Sequence, residues 1–296
     1  MPRFFYKHPL LLKYEWYWRL EPEIKYFCDI TYDPFLKMAE FNKTYGFTIA
    51  LKELRETVPN IFRYAAAYKH KNKLQSQGLW EMFLDTPPKE EEAQKKKEQK
   101  LPEEIRRNEP GEGSLPEIDP EAMEGESYNM CHFWSNFEIA RLDFFRSKEY
   151  EDFFDMMDRS GGFWMERVCN VTKCRLHLLT ISQWGDAPIH SLAAGALLAP
   201  SNVHYFRDIG YRHTTIQHCP ANAPARQLPR IPYLEMTTQD EKKRIEEDEY
   251  WADPDPVKEN GVGCRCKCDT DIPEVEGKDG SCIDQWVDVV GGWASP

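Results

Sequence analysis

Between Trp16 and Lys69 the chain alternates β-forming runs with helix-spaced ones, and that alternation confines it to the α/β class. Trp16-Tyr17-Trp18-Arg19-Leu20 is strand-like, Ile24 to Ile30 is a dense apolar run, and Tyr45-Gly46-Phe47-Thr48-Ile49-Ala50-Leu51 is rich in aromatic and β-branched residues. Between them, Phe35, Met38, Ala39 and Phe41 recur at helical spacing within Asp33–Asn42, and Leu54 to Lys69 reads as a further helix.

The pattern breaks at Pro87. From there to Glu126 the composition turns to Lys, Glu and Pro, a mixture that cannot bury enough apolar surface to fold alone, so 87–126 reads as a charged surface insertion. An aromatic-rich middle follows from Tyr128 to Tyr211. It contains a helix predicted over Ser147–Arg159, closed by Ser160-Gly161-Gly162, and another over Pro188–Leu198. Residues 221–296 are proline-rich, then charged, then cysteine-rich, and are expected to wrap the surface of a domain formed by residues 1–220.

The 38 basic against 50 acidic residues give a net charge of −12, which provides no footprint for nucleic acid or an anionic membrane surface. No apolar run reaches the length of about 18 residues that a membrane-spanning helix requires, and Met1-Pro2-Arg3-Phe4 lacks a signal-peptide layout. That reads as cytosolic, but the cysteines argue otherwise. Cys264, Cys266, Cys268 and Cys282 have a zinc site as their alternative, but they lack its usual paired Cys-x2-Cys spacing, which favours disulfides in an oxidising lumen. Sequons at Asn42-Lys43-Thr44 and Asn170-Val171-Thr172 agree with that compartment, although such triplets also arise by chance.

Five polar groups interrupt otherwise buried-looking sequence: Glu21-Pro22-Glu23, Asn136 with Glu138, Asp186, His190, and Arg212-His213. A buried charge without a partner costs several kcal/mol, so such residues carry either a function or a salt bridge. Glu21 follows a predicted strand, where α/β folds place ligands, although a capping or surface acid reads the same way. Asn136 and Glu138, two apart, share one face if they lie on a strand. A carboxylate steered by an amide suits a glycosyl centre, and equally suits a structural hydrogen-bond pair. His213 reads as a metal ligand on a loop, with a structural histidine as the alternative.

In order, Tyr17-Trp18-Arg19-Leu20-Glu21-Pro22-Glu23, Asn42-Lys43-Thr44-Tyr45-Gly46-Phe47-Thr48, Cys131-His132-Phe133-Trp134-Ser135-Asn136-Phe137-Glu138, Gly185-Asp186-Ala187-Pro188-Ile189-His190-Ser191 and Asp208-Ile209-Gly210-Tyr211-Arg212-His213 resemble the fungal α-1,2-mannosyltransferases of the KTR type, glycosyltransferase family 15. The resemblance implies a GT-A-like mixed sheet flanked by helices, GDP-mannose as donor, Mn2+ as metal, and mannosylated O- or N-glycans as acceptors. It implies a Golgi-membrane location with a lumenal catalytic domain. It places Glu21 at the nucleotide and metal site, with Glu23 and Arg212 at the nucleotide. Glu138 falls on the proposed nucleophile, Asp186 on an active-site aspartate and His213 on the metal-binding histidine. Glu23 stands where the family carries aspartate, a longer arm with the same charge. Conversion of an α-linked donor to an α-linked product is retention, either through a glycosyl-enzyme on Glu138 or by same-face attack.

Two departures from the family are expected to matter. Relatives of this kind carry an anchor helix and further catalytic sequence ahead of the Tyr-Trp-Arg strand, so the chain reads as N-terminally truncated, lacking part of the nucleotide-binding sheet. An inactive, glycan-binding subunit is therefore the alternative reading. Residues 168–183, sixteen in number, interrupt the family pattern between Glu166-Arg167 and Trp184-Gly185-Asp186. Val168-Cys169, Leu179-Thr180 and Gln183 can be encoded by splice-donor, branch and acceptor signals, so the segment reads as a translated intron. Peptides covering it in the native protein would refute that.

Overall fold

The computed structural model describes residues 5–85, 122–123, 126–165, 184–220, 266, 268–269 and 271–292. The segment 168–183, and with it the intron reading, lies outside the described residues, as do Cys264 and the Asn170 sequon.

The elements run β1 (Trp16–Leu20), β2 (Ile24–Tyr26), α1 (Pro34–Glu40), β3 (Tyr45–Phe47), β4 (Ala50–Lys52), a 3-10 turn at Arg55–Thr57, α2 (Ile61–Lys71) and a 3-10 turn at Trp80–Phe83. A small hairpin, β5 (Ala122–Met123) and β6 (Glu126–Ser127), precedes β7 (Cys131–Phe133), β8 (Phe137–Arg141), α3 (Leu142–Arg146), α4 (Lys148–Arg159) and α5 (Gly162–Met165). Then come α6 (Asp186–Leu197), β9 (Val203–Tyr205), β10 (Tyr211–His213), β11 (Ile216–His218) and α7 (Ile283–Val290).

The central sheet has the order β1-β8-β3-β9, with β8 antiparallel to both neighbours and β3 parallel to β9. A mixed sheet flanked by helices is thus what the alternating pattern demanded. Residues on opposite faces of β8 feed two cores: Phe137 and Ile139 join Met38, Phe206 and Tyr211, while Ala140 joins the larger cluster around Phe62, Trp80, Phe133 and Tyr150.

Local chemistry sets the helix ends. Asp33 caps α1 by accepting from the Phe35 amide at 2.8 Å, with Pro34 in the first turn. Asn42 follows in the left-handed region (φ 49°), where the Lys43 amide reaches back to the Met38 carbonyl, the Schellman closure. Ser147 caps α4, and Gly161 (φ 76°) ends it as expected. The predicted helix over 54–69 is instead a 3-10 turn followed by α2, because Pro59 cannot donate to a continuing helix.

The insertion at 87–126 ends earlier than its composition suggested. Ala122–Met123 pairs with Glu126–Ser127, and Glu126 accepts from the Trp80 indole at 3.1 Å. The C-terminal extension is also more than a wrapping. Ile283 and Trp286 are buried, with Trp286 edge-on to Phe47 at 5.3 Å, because α7 is amphipathic and Cys282 bonds to Cys131. Cys28–Cys266 and Cys219–Cys268 tie the tail to the domain at two more places, so the described cysteines of the Cys-x-Cys pair form disulfides, as expected.

The tail is clamped electrostatically as well. The buried His218 ring places Nε2 2.8 Å from the Arg207 carbonyl and Nδ1 3.4 Å from Glu274, with Glu276 at 4.0 Å and the Tyr205 hydroxyl at 3.4 Å. Burial opposes charge on this imidazole, but the hydrogen bond and charge of Glu274, with Glu276 and the Arg207 carbonyl, outweigh it and raise its pKa. A raised folded pKa gives stability that is fully present below the unfolded value of about 6.5 and is lost as pH climbs through the folded value. Raising pH from about 6 to about 9 is therefore expected to lower the melting temperature of the wild type more than that of His218→Gln, as read by calorimetry at each pH. Parallel curves would refute the clamp.

Candidate active site

The end of β1 gathers the acidic residues. Alternation on a strand puts Tyr17 and Arg19 on one face, and Glu21 lies just past the last residue of β1. Arg19 stands directly opposite Glu138 in the β1–β8 register. Its guanidinium binds Glu21 through Nε at 2.7 Å and through Nη2, binds Asp186 through Nη1, and approaches Ser135 Oγ at 3.3 Å. Two carboxylates that the sequence singles out, Glu21 and Asp186, thus meet on one guanidinium, which the sequence presents only as part of a motif. The signal was available, since Arg19 precedes Glu21 by two residues on a strand.

Glu138 is fully buried. Its carboxylate accepts from the Tyr17 and Tyr45 hydroxyls, and His190 Nδ1 lies 3.1 and 2.9 Å from its two oxygens. Burial pushes the Tyr45 hydroxyl far above its ordinary pKa, with the Arg19 charge acting in the opposite direction, so it stays a donor. Asp186 opens α6, whose residues from Ala187 to Ala196 are all buried. A Cβ at Gly195 would meet Phe83 at 2.7 Å, so only glycine allows this approach.

The paired-face expectation for Asn136 and Glu138 does not hold. Ser135-Asn136 is a turn, strand alternation starts at Phe137, and Asn136 instead accepts from Tyr211 at 3.1 Å in the other core. His213 is not on a loop either. It lies in β10, paired with Ile24 of β2 and Ile216 of β11. Its ring meets Trp134 edge-on at 5.3 Å, and its buried Nδ1 has no hydrogen-bond partner among the described residues. β2 begins three residues after Glu21, which puts the His213 strand beside the acidic cluster. Arg212 alternates away from His213 and is engaged with Asp269 at 2.8 Å and the Thr214 carbonyl at 2.7 Å. Glu23 is exposed in the β1–β2 turn with φ 62°, a left-handed position costly for a residue with a long side chain.

Among the described residues no group of three or more His, Cys, Asp or Glu side chains is arranged to hold a metal. Glu21 and His213 provide a carboxylate and an orphaned imidazole nitrogen. That is a sparse set of the kind that fits a hard divalent ion whose remaining ligands are phosphate oxygens and water.

The mixed sheet thus carries Glu21 and Asp186 held together by Arg19 at the end of β1, near a strand whose His213 keeps Nδ1 without a hydrogen bond among the described residues. The chain belongs to the family described as glycolipid 2-alpha-mannosyltransferase, which matches residues 2–228. It is 44% identical over 300 residues to O-glycoside alpha-1,2-mannosyltransferase homolog 4 of Schizosaccharomyces pombe, covering 97% of this chain and 53% of that protein. Homolog 5 of the same organism is 44% identical over 291 residues, covering 98% of this chain and 54% of that one. The chain therefore spans about half the length of the curated relatives it matches. Core-mannan synthase A of Aspergillus fumigatus, solved in an Mn/GDP form, superposes with TM-score 0.52 at 34% identity over 72% of this chain and 46% of that one. The S. cerevisiae mannosyltransferase Ktr4p in complex with GDP superposes with TM-score 0.53 at 32% identity, covering 76% of this chain and 47% of that one.

Proposed function

We propose that this chain carries the catalytic residues of a retaining, metal-dependent α-1,2-mannosyltransferase that moves mannose from GDP-mannose to mannosylated protein glycans. The observation that carries this reading is the meeting of Glu21 and Asp186 on Arg19, which is the register partner of the buried Glu138. One guanidinium shared by two carboxylates leaves one negative charge in excess, which favours a cation at the site.

Glu21 and His213 would hold the metal. Manganese, when bound, neutralises the charge that builds on the departing diphosphate. Glu138 presents a fixed negative field to the sugar, stabilising the positive charge that develops at the anomeric carbon. Both of its oxygens already accept hydrogen bonds, which favours this electrostatic role over covalent attack. Retention then follows from entry of the acceptor hydroxyl on the face the diphosphate leaves. Asp186, at the start of α6, would accept from a sugar hydroxyl while held by Arg19. Calorimetry of GDP binding tests the metal assignment. Manganese is expected to tighten binding to the wild type, and His213→Ala or Glu21→Gln to weaken the manganese-dependent part about tenfold or more, roughly 1.4 kcal/mol. GDP binding indifferent to manganese would overturn it.

The compartment proposed is an oxidising secretory lumen, supported by the disulfides and by the exposed Asn42 of the Asn42-Lys43-Thr44 sequon. No helix among the described residues is long and apolar enough to cross a membrane. Protein made in a fungal secretory pathway is expected to lose mass on endoglycosidase treatment, and Asn42→Gln to remove the Asn42-linked share. An unmodified Asn42 peptide would contradict this.

A further inference from the structure

We infer that His190 is the positioning residue for Glu138, and that α6 acts as one rigid bar setting both Glu138 and Asp186. The inference rests on the reading of Glu138 as the site's charge-stabilising carboxylate.

Asp186 and His190 are four residues apart, so on α6 they share a face one turn apart. Asp186 is gripped by Arg19 on β1, and His190 reaches Glu138 on β8. Since Arg19 and Glu138 are register partners, the helix is bolted to two adjacent strands at paired positions. A third tie comes from the residue after His190. Ser191 Oγ accepts from the Phe133 amide at 2.8 Å and donates to the Ala187 carbonyl at 2.7 Å, joining α6 to β7. Asp186 and His190 therefore move together or not at all.

The geometry also fixes the proton on His190. Both Glu138 oxygens are acceptors, already taking the Tyr17 and Tyr45 hydroxyl protons, so Nδ1 must donate. Nε2 is buried without a hydrogen-bond partner among the described residues. The ring lies against Phe145 at 5.0 Å, Phe5 at 6.3 Å and Tyr150 at 6.4 Å. Only Nδ1 has work in this site. The tyrosines hold one oxygen each from β1 and β3, and the imidazole adds a donor from α6 that reaches both, so the carboxylate is set against the helix as well as against the sheet.

The test uses the whole chain, labelled with 15N-histidine, beside His190→Asn and His190→Leu. Asparagine keeps an N–H close to the place of Nδ1, whereas leucine fills the space without a donor. The His190 signals, identified by their absence from the asparagine variant, are expected to report a protonated Nδ1 and a bare Nε2. His190→Leu is expected to lower kcat about 100-fold with the KM for GDP-mannose within about twofold of wild type, the loss typical of a misplaced reacting group. His190→Asn is expected to recover most of kcat. A proton on Nε2 with Nδ1 bare overturns the inference, whatever the activity. So does a His190→Leu protein that melts with the wild type and keeps its kcat. A wild type that never turns over GDP-mannose while showing the Nδ1 proton instead refutes the function reading and leaves the histidine's hold on Glu138 standing.

Discussion

Glu138→Gln is expected to lower mannose transfer by about 100- to 1000-fold, the scale on which removing one preorganised charge-stabilising group acts. Glutamine keeps the shape and one acceptor oxygen, and the Tyr17 and Tyr45 hydroxyls can turn to accept as well as donate, so the variant should fold. What it lacks is the negative charge. Glu138→Ala separates folding from chemistry, because it leaves two hydroxyls and an imidazole N–H buried without their acceptor, at about 1–3 kcal/mol for each unsatisfied group. That variant should melt well below the glutamine one. Steady-state rates and melting curves on both decide the point. If Glu138→Gln retains wild-type turnover, Glu138 is a structural anchor and the site must be assigned elsewhere.

Arg19→Leu has the second large expected effect. The guanidinium holds Glu21 and Asp186 at once and is the register partner of Glu138, so its loss leaves the two carboxylates to repel one another beside the proposed nucleotide and metal position. The three paired side chains are 28–31% exposed, so water screens part of the penalty, and the stability loss should be about 1–3 kcal/mol. Activity should fall further, by about 100-fold or more, because Asp186 and the start of α6 lose their tether to β1. Arg19→Lys restores charge but not the fork that reaches two acids together, and is expected to recover stability better than rate. Equal recovery of both would mean that charge alone matters there.

The fold was legible wherever periodicity and local chemistry agreed. β1 matched its aromatic run at Trp16–Leu20, and α4 followed its cap at Ser147 and its stop at Gly161. Legibility failed where distant parts of the chain decide the outcome. Nothing local to Ile283 or Trp286 says that a helix near the C-terminus completes a core begun at Phe47, because its docking depends on pairing Cys131 with Cys282, 151 residues apart. At the site, motif order named Glu21, Glu138, Asp186 and His213, but not their relations. Asn136 fell on the wrong side because a turn ends just before Phe137, and Arg212 faces Asp269 because β10 alternates. Arg19, Tyr17, Tyr45 and the hold of His190 on Glu138 emerged only when β1, β8 and α6 were brought together. Hydrogen bonds across 52 to 167 residues leave no periodic trace in a sequence.

A transferase site is tested by mannose transfer from GDP-mannose to α-methyl-mannoside by this chain with and without manganese, with the linkage and anomeric form of the product read by NMR. A manganese-dependent, α-1,2-linked product that disappears with Glu138→Gln is expected. A β-linked or otherwise linked product, or no transfer by a folded chain that still binds mannosides, would contradict it and leave a glycan-binding subunit as the reading.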